Sequence, residues 1–173
     1  MTSAELKSLI RDIPDFPRPG IVFRDITPLL SDARALAAVV DQLAEPFLGK
    51  VDLVLGIESR GFIVGAPVAY RLGVGLAVAR KPGKLPYQKV AQTYALEYGS
   101  DSIEMHQDAL GSHRRIVIID DLLATGGTAQ AAALLVSKLG GEVIGCGFVI
   151  ELSALGGRER LAPLDCVSLV QYD

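Results

Sequence analysis

A chain of 173 residues is long enough for one domain whose core folds without disulfides or a structural metal. Half of the residues are hydrophobic, yet glycine or charge interrupts every apolar run well before the roughly 20 residues that a membrane helix needs. The net charge of −3 gives no basic surface for general nucleic-acid binding.

We therefore expect a single domain over residues 1–173, with neither a membrane nor a nucleic acid as partner. The opening stretch MTSAELKSLIRDIPDFP has no basic segment followed by an apolar one, so no secretory signal is visible. On this ground we expect the chain in the cytoplasm.

Two helical patterns occupy the first 50 residues. Apolar residues at helical spacing predict a helix over about residues 2–12, which Pro14 and the following turn residues end. A second helix is predicted over residues 32–48, because apolar side chains recur there on one helical face. These side chains are Leu36, Val39, Val40, Leu43 and Phe47.

From Val51 onward the pattern changes to strand, loop and helix, and this order occurs twice. The first unit is VDLVLGIESRGFIVGAPVAYRLG, and the second is RRIVIIDDLLATGGTAQAAALLVSKLGG, followed at once by a strand over residues 143–150. Residues 116–119 are β-branched without alternation, as in a strand that is buried on both faces. The order predicts an α/β fold with a mostly parallel central sheet flanked by helices. Ligands of such sheets bind beyond the carboxyl ends of the strands, here the loops at 56–61 and 120–128.

Between the two units lies a long segment, residues 80–112. Turn residues at Pro82-Gly83 and at Gly99-Ser100-Asp101 flank strand-favouring residues around Tyr94 and Tyr98, which predicts a hairpin. The segment is too long for a simple connection in a compact domain, and we expect it to act as a flexible lid.

The stretch IVIIDDLLATGGT, residues 116–128, carries the clearest chemistry. Its small-residue loop, Ala124 to Thr128 (Ala124, Thr125, Gly126, Gly127 and Thr128), can turn several N–H groups toward one point at a helix N-terminus, which is a site for a phosphate. Asp120 and Asp121 would repel one another if they were merely packed. They are better explained as acceptors for the two hydroxyl groups of a ribose.

Two plainer interpretations of this stretch stay open from the residues alone. The acid pair could be an ordinary turn at a strand end, and Gly126-Gly127 could be an ordinary start of a helix. A Walker A loop is disfavoured, since it requires the pattern GxxxxGK[ST] and no lysine stands at the matching place.

Residues 116–128 resemble the phosphoribosyl pyrophosphate signature of the type I phosphoribosyltransferases, in which four apolar residues precede two acids and a small-residue loop. The similarity to adenine-using members of this family continues from about Ile13 to the C-terminus. It is carried by DFPRPGIVFRDITPLL, LGIESRGFIVGAPVAYRLG, ARKPGKLPY, YALEYG, DDLLATGGT, GRERLAP and SLVQYD. The resemblance implies the family's fold, with a small N-terminal hood over residues 1–30. It also implies a pentosyltransferase that converts adenine and phosphoribosyl pyrophosphate to AMP and pyrophosphate.

The resemblance assigns the turn Glu58-Ser59-Arg60 to pyrophosphate and the hood residues Val22, Phe23 and Arg24 to the base. Phe23 would stack on the purine, the Val22 carbonyl would accept from its 6-amino group, and the Arg24 N–H would donate to N1. Backbone groups of this kind distinguish an amino from an oxo substituent, because the wrong purine leaves them unpaired. As alternatives, Arg60 could be a solvated loop residue and Phe23 a plain core aromatic.

In the hairpin segment, the resemblance implies that the cationic residues Arg80, Lys81 and Lys84 meet the phosphates, with Arg80 reaching the active site of the partner in a homodimer. Glu97 would be the catalytic acid/base, and Tyr98 would close over the sugar and pyrophosphate. No metal site formed by protein side chains is expected, since Mg²⁺ would arrive bound to phosphoribosyl pyrophosphate. The cationic run could instead be a solvated face, and Glu97 could serve only to shape its loop.

Two other functions are compatible with the same fold. Some purine-responsive repressors bind phosphoribosyl pyrophosphate without catalysis, but they carry an added DNA-binding domain, and barely a dozen residues precede Ile13 here. An enzyme for a 6-oxopurine is the closer alternative. The segments VFRDITPLL and YALEYG favour adenine.

Overall fold

The computed structural model describes residues 1–95 and 100–173. Six helices lie in this part of the chain: α1 (Ser3–Ser8), α2 (Thr27–Ser31), α3 (Ala33–Ala44), α4 (Arg60–Leu72), α5 (Gly127–Lys138) and α6 (Gly157–Leu161). Nine strands accompany them: β1 (Arg11–Pro14), β2 (Val22–Asp25), β3 (Leu53–Ile57), β4 (Gly75–Ala79), β5 (Lys89–Ala95), β6 (Ser100–His106), β7 (Arg115–Leu123), β8 (Glu142–Leu152) and β9 (Cys166–Tyr172). Two short 3₁₀ turns cover Glu45–Phe47 and Ser153–Leu155.

The centre of the fold is a five-stranded sheet in the order β4-β3-β7-β8-β9. Every neighbouring pair in this sheet is parallel. The predicted α/β fold with a parallel central sheet and flanking helices is thereby confirmed. Within the described residues, none of the helices is long and apolar enough to cross a membrane.

Strand β7 shows why the sheet is buried on both faces. Its residues 116–119 are fully buried, and successive side chains point to opposite sides. Val117 and Ile119 pack with apolar side chains of α3 and α4, whereas Ile116 and Ile118 pack with those of α5 and of the β5-β6 hairpin. Each such side chain contributes roughly 1.5–3 kcal/mol by leaving water. An uninterrupted run of β-branched residues is what two apolar layers require.

The N-terminal segment differs from the sequence-based expectation. The predicted helix over residues 2–12 ends at Ser8, and Arg11–Pro14 instead pairs antiparallel with Val22–Asp25. Helical spacing of the apolar residues extends to Ile10, but the chain beyond it obtains its backbone partners from β2 and not from a further helical turn. The two strands form a small separate sheet at the edge of the molecule.

An antiparallel hairpin, β5 with β6, forms in the long segment between the two strand-loop-helix units, as expected. The predicted turn at Pro82-Gly83 is present, with Gly83 at a φ of 78°. The second predicted turn is partly wrong, because Ser100 and Asp101 belong to β6 and pair with Ala95 and Tyr94. The hairpin packs against α5, and its function as a lid stays a prediction.

Candidate active site

The loops that follow β3 and β7 border the same cavity, because these strands are parallel neighbours whose carboxyl ends meet at one edge of the sheet. The cavity has a volume of about 320 Å³. It brings together most of the residues predicted from sequence for sugar and phosphates. These are Glu58, Ser59, Arg60, Lys81, Asp120, Asp121, Ala124, Thr125, Gly126, Gly127 and Thr128.

The small-residue loop is fixed in place from two sides. Gly126 has a φ of 76°, which favours glycine, and a Cβ atom there would lie 2.7 Å from the Gly157 carbonyl oxygen. A Cβ atom on Gly127 would lie 3.0 Å from the ring of Tyr94. Helix α5 begins at Gly127, and the N–H groups of its first turn have no partner within the helix. Unpaired N–H groups of this kind can bind an anion, so the loop stays a predicted phosphate site.

The two acids behind this loop have different surroundings. Asp121 is 5% exposed, and one of its carboxylate oxygens accepts from Nε of Arg60 at 2.5 Å. Asp120 is packed against α4, where a Cβ atom on Gly61 would come within 2.8 Å of its Oδ1 atom. Desolvation and the charge of Asp121 raise the pKa of Asp120 well above its usual range. Two hydroxyl donors from a ribose would favour its ionised form.

Compared with the parent, the Asp120→Asn variant is expected to gain more free energy of unfolding at neutral pH than at acidic pH. Because the folded-state pKa of Asp120 lies above the unfolded value, the folded chain retains a proton that the unfolded chain releases as the pH rises. Between the unfolded and the folded pKa of Asp120, each pH unit lowers the free energy of unfolding of the parent by about 1.4 kcal/mol. Asn does not titrate and avoids this loss. Urea unfolding between about pH 4 and pH 7 measures the effect. A stability difference that does not change with pH would show an ordinary pKa for Asp120.

Arg60 connects the cavity to the hood. Its guanidinium carbon lies 5.2 Å from the ring centroid of Phe23, while its Nε atom donates to Asp121. Arg60 begins α4 and is held by these contacts, although 37% of its side chain is exposed to solvent. Phe23 is half-buried and lies outside both apolar cores, with its ring edge-to-face against Phe16 at 5.3 Å. It is not a plain core aromatic.

The other two hood residues, Val22 and Arg24, are held by different neighbours. The Arg24 guanidinium lies 3.9 Å from the ring centroid of Tyr172 and pairs with Asp12. Val22 is exposed and stands opposite Pro14 in the β1-β2 ladder. Because proline has no N–H group, the Val22 carbonyl receives no ladder hydrogen bond from its register partner.

The cationic residues after β4 are paired within their own chain. Arg80 donates through Nη2 to Glu58 at 2.9 Å and through Nη1 to the Lys84 carbonyl at 3.2 Å. The ammonium group of Lys81 pairs with Asp101, and the backbone N–H of Lys81 donates to Glu58 at 2.7 Å. Arg80 meets Glu58 because β3 and β4 end side by side. Its expected reach into the active site of the partner subunit stays a prediction.

Glu58 holds the cationic segment, since both of its carboxylate oxygens accept hydrogen bonds from it. The hydrogen bond from Arg80 lowers the pKa of Glu58. The Glu58-Ser59 peptide bond is cis.

Some of the predicted site residues do not line the cavity. These are Val22, Phe23, Arg24, Arg80 and Lys84. Glu97 and Tyr98 lie outside the described residues.

Two residues of the site were not found by sequence reasoning. Gly157 begins α6, and a Cβ atom there would lie 2.3 Å from the Ala124 carbonyl oxygen, so only glycine fits behind the small-residue loop. Tyr94 lies against the same loop through Gly127 and Thr128. Close packing between distant segments leaves no local pattern, although the glycines of GGRERL are a weak signal.

Comparison with known proteins agrees with this geometry. Residues 24–171 match the family described as phosphoribosyl transferase domain. An adenine phosphoribosyltransferase of Acidobacterium capsulatum is 56% identical over 168 residues, which cover 96% of this chain and 93% of that protein. The chain belongs to the adenine phosphoribosyltransferase family.

Solved structures of adenine phosphoribosyltransferases have the same fold. The protein of Thermoanaerobacter pseudethanolicus superposes with a TM-score of 0.94 at 52% identity, covering 99% of this chain and 100% of that one. The Saccharomyces cerevisiae enzyme, solved with an imino-altritol bisphosphate and adenine, gives a TM-score of 0.89 at 38% identity, with coverage of 96% and 97%. The expected fold and the enzyme class, a phosphoribosyltransferase, are confirmed.

Proposed function

We propose that the protein transfers the 5-phosphoribosyl group of phosphoribosyl pyrophosphate to N9 of adenine, which gives AMP and pyrophosphate in purine salvage. The proposal is supported mainly by one cavity, which is lined by the small-residue loop, by Asp120 and Asp121 and by the 58–60 turn, with Phe23 beside Arg60. Relatives more than 50% identical over nearly the whole chain are named for this activity.

The sugar phosphate lies along the end of β7. N–H groups of Ala124 to Thr128 donate to the 5′-phosphate, and Asp120 and Asp121 accept from the ribose hydroxyls. Arg60 is held at 2.5 Å by Asp121, so it faces the pyrophosphate side in a fixed orientation. Such preorganised donors stabilise charge where it develops as pyrophosphate departs.

The cationic segment assists at the pyrophosphate. Lys81 lines the cavity, and Lys84 adds positive charge to the same segment. Arg80 acts by fixing this segment through Glu58, while Tyr98 is assigned to the sugar and pyrophosphate by resemblance alone.

The Mg²⁺ expected for this family fits a site made mainly by substrate. Among residues 1–95 and 100–173 there is no group of three or more His, Cys, Asp or Glu side chains suited to a metal ion. The oxygens of phosphoribosyl pyrophosphate would therefore be the principal ligands. Among the carboxylates of the described residues that line the cavity, Asp120 is the one without an arginine partner. When bound, the ion neutralises pyrophosphate charge and aids its departure.

The hood supplies base specificity. Phe23 stacks on the purine, and the Val22 carbonyl, which Pro14 cannot engage, accepts from the 6-amino group. The Arg24 N–H donates to N1, with its side chain anchored on Tyr172. A 6-oxopurine would present a second acceptor to the Val22 carbonyl and leave both unpaired.

A direct assay of adenine, hypoxanthine, guanine and xanthine with phosphoribosyl pyrophosphate tests the function. Adenine is expected to be preferred by a factor on the order of 10² or more, because a buried unpaired acceptor costs about 1–3 kcal/mol at each position. Turnover of hypoxanthine at the rate of adenine would support the 6-oxopurine alternative. Tight binding of phosphoribosyl pyrophosphate without turnover of any base would support a sensor.

We further propose a cytoplasmic homodimer. The dimer rests on the family resemblance, because Arg80, Lys81 and Lys89 of the hairpin arm each have a carboxylate partner within the chain. Sedimentation equilibrium at micromolar concentration is expected to give twice the chain mass. A monomer under these conditions would count against the dimer.

A further inference from the structure

The hydroxyl group of Tyr94 is the meeting point of three segments. Its oxygen lies 3.0 Å from the Thr128 hydroxyl, 3.1 Å from Nζ of Lys81 and 3.2 Å from a carboxylate oxygen of Asp101. The side chain is 8% exposed.

The donors and acceptors determine the direction of each hydrogen bond. Burial opposes the charge of Lys81, yet hydrogen bonds to Asp101 and Tyr94 raise the pKa of Lys81. Burial likewise acts against ionisation of Asp101, but the hydrogen bond from Lys81 keeps its pKa below the usual value. An ammonium group only donates and a carboxylate only accepts, so Tyr94 accepts from Lys81 and donates to Asp101. Its remaining acceptor position takes the Thr128 proton.

This arrangement attaches the hairpin to the phosphate loop at one point. Tyr94 is the last residue but one of β5, and Asp101 is its register partner in β6. Thr128 lies in the first turn of α5, directly after the small-residue loop. The two strands lead into residues 96–99, which include Glu97.

We propose that Tyr94 is a positioning residue that couples occupation of the phosphate loop to the placement of the β5-β6 hairpin. A 5′-phosphate accepts a hydrogen bond from the Thr128 hydroxyl, and the Tyr94 hydroxyl turns its single hydrogen from Asp101 to the Thr128 oxygen. Hydrogen bonds in such a chain strengthen one another, so the anion draws the hairpin onto the loop. Lys81 continues to hold Asp101. This inference rests on the proposed placement of the 5′-phosphate.

Hydrogen exchange of residues 89–106 with and without ribose 5-phosphate tests the coupling in the full-length protein. In the parent, the sugar phosphate is expected to slow exchange in both strands about tenfold. In Tyr94→Phe, which keeps the ring against Gly127, this slowing is expected to disappear while ribose 5-phosphate affinity stays within about fivefold. For AMP formation, kcat is expected to fall about tenfold with a smaller change in the KM for phosphoribosyl pyrophosphate.

Tyr70→Phe is the matched control, because Tyr70 is 90% exposed on α4. It should behave as the parent in all three measurements. Ligand-dependent protection and kcat that are both unchanged in Tyr94→Phe would overturn the inference. If that variant does not fold, Thr128→Val provides the test, and retained protection at saturating ribose 5-phosphate would overturn it equally. A parent that shows the protection but forms no AMP would instead contradict the proposed function alone.

Discussion

Replacement of Glu97 by Gln is expected to slow the chemical step by roughly 10²- to 10⁴-fold, with phosphoribosyl pyrophosphate binding little changed. When N9 of adenine bonds to C1′, the base must lose one proton. In reverse, protonation of AMP at N7 makes adenine a better leaving group, so a carboxylate near N7 accepts that proton in the forward direction. Gln keeps shape and hydrogen bonding but cannot titrate.

Single-turnover kinetics should be used, because product release can limit steady-state turnover in an enzyme with a lid. The exposed Glu142, at the start of β8, gives a matched control in Glu142→Gln. A Glu97→Gln rate within about threefold of the parent would show that the proton is handled elsewhere, for instance by water.

The alternative that Glu97 only shapes its loop, for instance by pairing with a cation of the hairpin arm, stays open. Arg80 pairs with Glu58, Lys81 with Asp101 and Lys89 with Glu104. These cations therefore already have carboxylate partners among the described residues.

The second large effect is expected at the acid pair. Asp121→Ala or Asp120→Ala should weaken AMP and phosphoribosyl pyrophosphate binding far more than adenine binding. Each variant loses a charge-assisted acceptor for a ribose hydroxyl, worth about 1–3 kcal/mol or about 5- to 150-fold in affinity. Asp121→Ala also releases Arg60, so its loss of pyrophosphate affinity should be the greater.

Calorimetric titration with AMP, pyrophosphate and adenine separates these effects. Asp41→Ala, which removes an exposed carboxylate paired with Arg71 on the helical surface, is the control. The double variant of Arg60 and Asp121 should lose less pyrophosphate affinity than the sum of the single variants, because they act as a pair. Unchanged AMP affinity in both aspartate variants would remove the ribose assignment.

The main parts of the fold follow from local sequence patterns. The β-branched run 116–119 and the small-residue loop after it identify the central strand and the phosphate site, because burial on both faces and a helix N-terminus each impose a local composition. The ends of elements are less determined. Helical spacing up to Ile10 does not reveal that Arg11–Pro14 pairs with a strand, Val22–Asp25, that comes later in the chain.

The pairing of charged side chains could not be predicted from local patterns. Glu58 holds Arg80, and Arg60 holds Asp121, across separations of 22 and 61 residues. Such contacts depend on the order of the strands in the sheet. The sequence alone does not show which of several carboxylates will pair with a given arginine. For this reason, the sequence places Glu58 in the predicted pyrophosphate turn but does not reveal that its carboxylate accepts hydrogen bonds from Arg80 and Lys81.

A crystal structure of the protein with AMP tests where the phosphate, the ribose and the base bind. We expect the 5′-phosphate on the N–H groups of residues 124–128, the ribose hydroxyls on Asp120 and Asp121, and the purine on Phe23 with its amino group at the Val22 carbonyl. A phosphate bound at the 58–60 turn, or a purine away from Phe23, would contradict this expectation.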